Sequence, residues 1–246
     1  MLNLEIIGQG AMATIYRDAN KAVKLYTNVS QSIVENEANR QQFALNAGLP
    51  VPAVIGIRKL DNNSIALDMK YVNGKPILHE KMGNDEQVNA IQTLIKLQCD
   101  VHKVDANHQP KQVDKFVQRI KHTPYLSEIK KQKLLDLLTQ LDTGLNNLCH
   151  GDFHPLNILY DGDKHWIIDW VDATAGNPFA DACRTYLIFK QFIAHQAEAY
   201  LLTFCDEANV KSDDVLVWLP IVAAVRLDEN IDDEARVWLK GIVQQV

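Results

Sequence analysis

The chain has 246 residues, 47% of them hydrophobic and 23% charged, the proportions of an ordinary folded protein rather than a disordered or fibrous one. No run of about 18 apolar residues occurs to span a bilayer, and Met1-Leu2-Asn3-Leu4-Glu5 is not a basic stretch leading into an apolar block. The net charge of −6 argues against a general nucleic-acid-binding surface; it is unevenly spread, with 8 Lys+Arg against 6 Asp+Glu in residues 1–75 and 17 against 25 beyond. A cytoplasmic protein with no membrane or nucleic-acid partner is expected. The near-neutral first part suits a polyanion and the acidic remainder suits a cationic small molecule, although an acidic surplus also forms plain solvated faces. Cys99, Cys149, Cys183 and Cys205 are scattered without a C-x-x-C pair and read as packed thiols.

In chain order, Leu4 to Ile7 reads as a strand broken by Gly8-Gln9-Gly10, with Thr14-Ile15-Tyr16 and Ala22 to Tyr26 as the next strands. Gly8 to Ala13 is a G-x-G-x-x-A loop whose small residues let backbone N–H groups approach a phosphate; a simple hairpin turn explains the glycines equally well. A strand rather than a helix follows, which disfavours a dinucleotide-binding crossover. Ser32-Ile33-Val34-Glu35 has capping-box spacing and opens a helix that Gly48 stops, before Pro50 and Pro52. At 100° per residue, Glu35 shares a polar face with Asn39, Gln42 and Asn46, whereas Glu37 lies among Ile33, Val34 and Ala44. An inward acid needs a cation, and Lys24 on the preceding strand is the one expected.

Ala53 to Ile57 and Ser64 to Met69 read as strands joined by an Asp61-Asn62-Asn63 turn. A joint is expected near Lys70 to Gly74, because helical periodicity takes over at Gln87 to Val101 and Ser127 to Leu141. Ile158 to Tyr160 and His165 to Ile168 are short strands, and helices dominate from Asp181 onward. Between Asn157 and Asp169, a hairpin centred on Asp163 sets the two residues opposite each other. An amide oxygen beside a carboxylate suits Mg2+ sharing its shell with phosphates. Asp152, five residues before Asn157, is placed to accept or orient the proton of a hydroxyl. Asp172 reads equally as a substrate contact or a turn residue. The acidic stretch Arg226 to Glu234 reads as a solvated helix face or as a site for ammonium groups.

The segment His150-Gly151-Asp152-Phe153-His154-Pro155-Leu156-Asn157-Ile158-Leu159, followed by Ile167-Ile168-Asp169-Trp170, resembles the phosphotransfer loop of the aminoglycoside phosphotransferase and choline kinase-like superfamily. The helix ending in Gly48-Leu49-Pro50-Val51-Pro52 is similar to that family too. The resemblance implies an α+β, two-lobed protein kinase-like fold. A small β-rich lobe with one helix would span residues 1–73, and a larger, mostly helical lobe residues 74–246. It implies ATP and Mg2+ as cofactors, with Asp152 as catalytic base and Asn157 and Asp169 as Mg2+ ligands. Gly8 and Gly10 would line the phosphate loop, and Lys24, paired with Glu37, would bond the phosphates. Backbone groups of Lys70 and Val72 fall where a hinge would pass the adenine, although a strand end and turn accounts for the same residues. His150 and His154 would shape the loop, and Asp181 would hold it.

The function so implied is transfer of the γ-phosphoryl group to a hydroxyl of a small molecule such as an aminoglycoside, a choline-like amino alcohol, thiamine or a sugar-like metabolite. The alternative is a nucleotide-binding pseudokinase or scaffold. A protein kinase is disfavoured, because Asp169 is followed by Trp170-Val171 and no D-F-G or A-P-E segment is present.

Overall fold

The structure is a computed structural model, and residues 5–10, 12–60, 63–79 and 82–245 are described. Leu4, Ala11 and the turn residues Asp61 and Asn62 lie outside them. In chain order the elements are β1 (Glu5–Gln9), β2 (Ala13–Asp18), β3 (Lys21–Thr27), α1 (Gln31–Asn46), β4 (Val54–Lys59), β5 (Ser64–Lys70) and β6 (Lys75–Pro76). The helices α2 (Asn84–His102), α3 (Gln112–His122) and α4 (Glu128–Leu141) follow. Then come β7 (Asn147–Cys149), a short 3-10 turn (Pro155–Asn157), β8 (Ile158–Tyr160), β9 (His165–Ile167) and β10 (Thr174–Gly176). The chain finishes with α5 (Pro178–Phe192), α6 (Ala194–Ala208), α7 (Ser212–Leu216), α8 (Leu219–Arg226) and α9 (Asp233–Val243).

The fold is α+β, with two compact units: Met1–Lys81 with Pro155–Asp172, and Met82–His154 with Ala173–Val246. In the first unit an antiparallel sheet runs β1-β2-β3-β5-β4. Its covered face gathers Ala13, Tyr26, Ile65 and Leu67 against Val34 and Ala38 of α1. Each of the larger aliphatic side chains, Val34, Ile65 and Leu67, contributes about 1.5–3 kcal/mol when taken from water. The buried positions of α1 are Val34, Glu37, Ala38, Gln41 and Ala44, a helical stripe that carries one acid into the core. β1 continues through Gly8 to Gln9 with an irregularity between Ile6 and Gly8, so the glycine bends the strand instead of ending it. The N-cap of α1 is Ser30, two residues before the expected start, because Ser30 holds the extended backbone that a cap requires. At the other end Gly48 has φ +86°, a left-handed conformation that glycine adopts without strain, and the helix stops there.

The same unit holds the three-stranded sheet β6-β8-β9. Gln41 Nε2 donates to the Pro52 carbonyl at 2.7 Å, and the Ile167 N–H to that of Pro50 at 2.8 Å. The Gly48 to Pro52 segment therefore ties α1 to β9.

In the second unit β7 pairs with β10, and α5 is buried from Ala180 through Phe189. A helix apolar on almost every side must be central, and polar residues on it need partners. The helix α3 was not expected, although Val113, Phe116 and Ile120 fall on one face of it. All four cysteines are free thiols, three of them buried. Among the described residues no helix is long and apolar enough to cross a membrane.

Candidate active site

The site residues of the first unit gather around Lys24. The strand β3 sets Lys24 opposite Ile15 on β2 and Leu67 on β5. Its Nζ lies 2.6 Å from Glu37 Oε1 and 2.9 Å from Asp169 Oδ1. Tyr26 donates its hydroxyl to the other Glu37 oxygen, so both oxygens of this fully buried carboxylate are bonded. Glu35 is exposed, as the helix phase predicts. Burial works against the Lys24 charge, but the Glu37 and Asp169 carboxylates overcome it and hold the amine well above its usual range. Lys24 is an ammonium ion shared between two acids.

Asp169 follows a hairpin whose register differs by one residue from that expected. Ile158 pairs with Ile167 and Tyr160 with His165, so Ile168, not Asp169, falls opposite Asn157. The Ile168 N–H donates to the Asn157 carbonyl at 3.0 Å. The cause is the four-residue turn 161–164, whose midpoint lies half a residue before Asp163. Asp169 has φ +65°, an unusual conformation for a residue with a side chain, and that twist accompanies its ion pair with Lys24. Its side chain is 40% exposed, whereas Asn157 is buried. Asn157 and Asp169 both carry hard oxygen atoms, the donor type that Mg2+ prefers.

Gly8 faces Ile15, and a Cβ there would come within 3.2 Å of Ile15 Cδ1. The Gly10 N–H donates to the Ala13 carbonyl at 2.9 Å. At the expected hinge the Lys70 N–H is committed to the Ala53 carbonyl at 2.9 Å, and its ammonium lies over the Trp166 ring. Val72 lies in the irregular segment between β5 and β6, half-buried.

In the second unit the strand β7 leads into the loop His150–His154. Gly151 has φ +82°, which makes the sharp turn that presents Asp152. The loop is held from α5. Asp181, fully buried, accepts the Gly151 N–H at 2.7 Å and the His150 N–H at 3.3 Å. It also pairs with His102 Nε2 at 2.9 Å. Burial opposes its charge, but His102 and the backbone N–H of Gly151 outweigh that and keep the carboxyl below its usual range. Thr185, one turn further along α5, donates to the Phe153 carbonyl at 2.8 Å and accepts from Gln98 Nε2 at 3.0 Å.

Asp152 meets His154 Nε2 at 3.2 Å through Oδ2 and Arg184 Nη2 at 3.2 Å through Oδ1. Burial raises its pKa, yet the His154 hydrogen bond and the Arg184 charge prevail and hold it far below the usual carboxylate range. The group is an anion at any physiological pH. As an anion of low basicity it is suited to aligning a hydroxyl through a hydrogen bond, more than to removing a proton early.

Within the stretch Arg226 to Glu234, Asp232, Asp233 and Glu234 are exposed, as on a solvated helix face, whereas Asp228 and Glu229 are engaged by residues from other helices. Asp228 is taken by Arg119 at 3.0 Å and His122 at 2.7 Å, and Glu229 by Arg184 and Arg226. Asp232 caps α9 through the Ala235 N–H, and Asp233 pairs with Arg236. Asp228 and Glu229 tie the segment after α8 to α3 and α5. The sequence reading also missed Arg184, Thr185, Gln98 and His102. Their signal was present: Asp181, Arg184 and Thr185 stand at i, i+3 and i+4 in an otherwise apolar run from Ala180 to Phe189.

The model of the phosphotransferase enzyme family matches residues 5–212. Among solved structures, the chain is similar to a thermostable mutant of aminoglycoside phosphotransferase APH(4)-Ia in ternary complex with ADP and hygromycin B. The TM-score is 0.74 at 14% identity, over 99% of this chain and 92% of that one. It is also similar to aminoglycoside phosphotransferase APH(3'')-Id from Streptomyces rimosus in complex with ADP and streptomycin. There the TM-score is 0.66 at 16% identity, over 90% and 92% of the two chains. At these identities the likeness is one of fold. No curated protein matches the sequence.

Proposed function

Because the chain belongs to the phosphotransferase enzyme family, we propose that it moves the γ-phosphoryl group of ATP to a hydroxyl of a small molecule. The observation that carries this reading is Lys24 held between Glu37 at 2.6 Å and Asp169 at 2.9 Å. A buried ammonium fixed by two acids presents a charge whose position needs no reorganisation when a phosphate arrives. Gly8 and Gly10 offer backbone without side-chain bulk along the phosphates, and backbone groups at Lys70 and Val72 border the base. With the Lys70 N–H already bonded to Ala53, the Val72 backbone is the donor left to that hinge pair.

Asn157 and Asp169 are the residues that would hold Mg2+, which when bound neutralises charge on the phosphate oxygens. Asp152 aligns the acceptor hydroxyl and takes its proton as the bond to phosphorus forms. The structures similar in fold contain ADP with hygromycin B or streptomycin, which supports a nucleotide and a hydroxyl-bearing small molecule as substrates here. The acceptor is an aminoglycoside, a choline-like amino alcohol, thiamine or a sugar-like metabolite. The internal pairing of Asp228 and Glu229 weighs against those two acids as the cation-recognition surface.

The test is ADP release from Mg-ATP with a panel of these acceptors, comparing the wild type with Asp152→Ala. Loss of at least about 10²-fold in kcat is expected for the variant. Turnover close to wild type would remove Asp152 from the mechanism. Nucleotide binding without turnover on every acceptor would favour a pseudokinase.

A further inference from the structure

Three polar residues of α5 face the 150–153 loop or its neighbours. Asp181 and Thr185 bond its backbone, whereas Arg184 bonds the Asp152 side chain. Arg184 Nη2 stands 3.2 Å from Asp152 Oδ1, and its two terminal nitrogens reach Glu229 at 2.5 and 3.2 Å. Glu229 also accepts from Arg226 Nη1 at 3.3 Å. Arg226 in turn donates through Nε and Nη2 to Gln191 Oε1 at 3.1 and 2.7 Å. Both arginines are buried, and both carboxylates are partly open. A connected series of charged groups thus runs from the loop through α5 to the segment after α8.

Its geometry does more than neutralise charge. A guanidinium is a rigid plane with its donors in a fixed fork. Two bonds to Glu229 set the plane of Arg184, and the same Nη2 then points at Asp152 Oδ1. His154 occupies Asp152 Oδ2. A carboxylate anchored on both oxygens by different elements keeps one orientation. Two adjacent buried cations would repel, and the Glu229 carboxylate lies between them and offsets this.

We propose that Arg184 is a positioning residue for Asp152, and that Glu229, gripped by Arg184 and Arg226, sets its aim. The catalytic consequence rests on the phosphotransfer reading; the orientation does not. The segment after α8, which the sequence offered as an acceptor surface, becomes support for the loop. Displacing a reacting group by about 1 Å costs on the order of 10²-fold in rate, so the effect is measurable.

Two readouts separate the claims. In protein labelled with 13C at aspartate carboxyls, the Asp152 resonance is the one lost in Asp152→Asn. Arg184→Gln and Glu229→Gln are expected to move or broaden it, with Arg184→Lys in between. A resonance superposable on wild type in the folded variants overturns the proposal. The second readout is hydrolysis of Mg-ATP with water as acceptor. Arg184→Gln and Glu229→Gln should lower kcat at least about tenfold with an unchanged KM for ATP. In an Asp152→Asn background they should add no further loss. Full additivity overturns the positioning role, as it marks a structural one. A wild type that never hydrolyses ATP counts against the phosphotransfer reading, and the resonance then decides the proposal. Glu229→Gln serves both readouts if Arg184→Gln does not fold, because that carboxylate is partly exposed.

Discussion

Lys24 and Glu37 are the pair on which the first unit's site depends, and removing either leaves the other buried. Lys24 Nζ is nearly covered and Glu37 wholly so, and water cannot replace a lost partner there. Breaking such a pair costs about 3–5 kcal/mol, while replacing both members with apolar groups is often neutral or better. Lys24→Met should therefore lower the urea midpoint strongly, and Lys24→Met with Glu37→Met should recover much of the loss. Phosphotransfer is expected to vanish in both. Recovery of activity in the double variant would show that Lys24 serves only the fold. The sign of the Lys24 effect fixes its pH dependence. Its folded-state pKa is raised, so the Lys24 contribution to stability is present below the unfolded value near 10.5 and is lost at more alkaline pH.

At the scale of elements, the β8–β9 hairpin is set by Asp161. Its carboxylate accepts the Asp163 N–H at 3.0 Å, the Lys164 N–H at 2.9 Å and the Trp166 Nε1–H at 2.6 Å. The Lys164 backbone bond, then the Trp166 bond, lower its pKa to about 2. A depressed acid contributes stability above its unfolded pKa and loses it as pH falls through the folded one. Asp161→Ala should thus lower the urea midpoint at pH 7, and the gap to wild type should close as pH falls from about 4 to about 2. A gap that stays constant across that range would mean that the ionised carboxylate does not hold the turn.

The same hairpin shows what the sequence could tell. Its existence was legible from two apolar runs around Asp161-Gly162-Asp163-Lys164, but its register was not, since one residue of loop length shifts every pairing. Glu37 was legible because helix phase separates an inward acid from an outward one. The partners of Asp228 and Glu229 were not, because Arg119, His122 and Arg184 reach them from 45 to 109 residues away. Arg184 lay between the two cases: its place on an apolar helix flagged it, yet nothing in the sequence named Asp152 as its partner.

Over the whole molecule, the motif residues divide between the two units. Lys24, Glu37, Asn157 and Asp169 belong to the first, and Asp152, His154 and Arg184 to the second. The chain passes from one unit to the other between His154 and Pro155, inside the H-G-D-x-H-P-x-N segment. A single stretch of sequence so serves both the proposed phosphate-binding residues and the proposed acceptor-aligning loop. The central claim is that these residues perform phosphoryl transfer to a hydroxyl. It is tested most directly by 31P NMR of the wild-type protein with Mg-ATP and pooled aminoglycoside, amino-alcohol, thiamine and sugar acceptors. The account predicts a new phosphomonoester resonance that grows in step with ADP and is absent with Asp152→Ala. ATP that binds and remains intact, or ADP that forms only with inorganic phosphate across the whole pool, would contradict it.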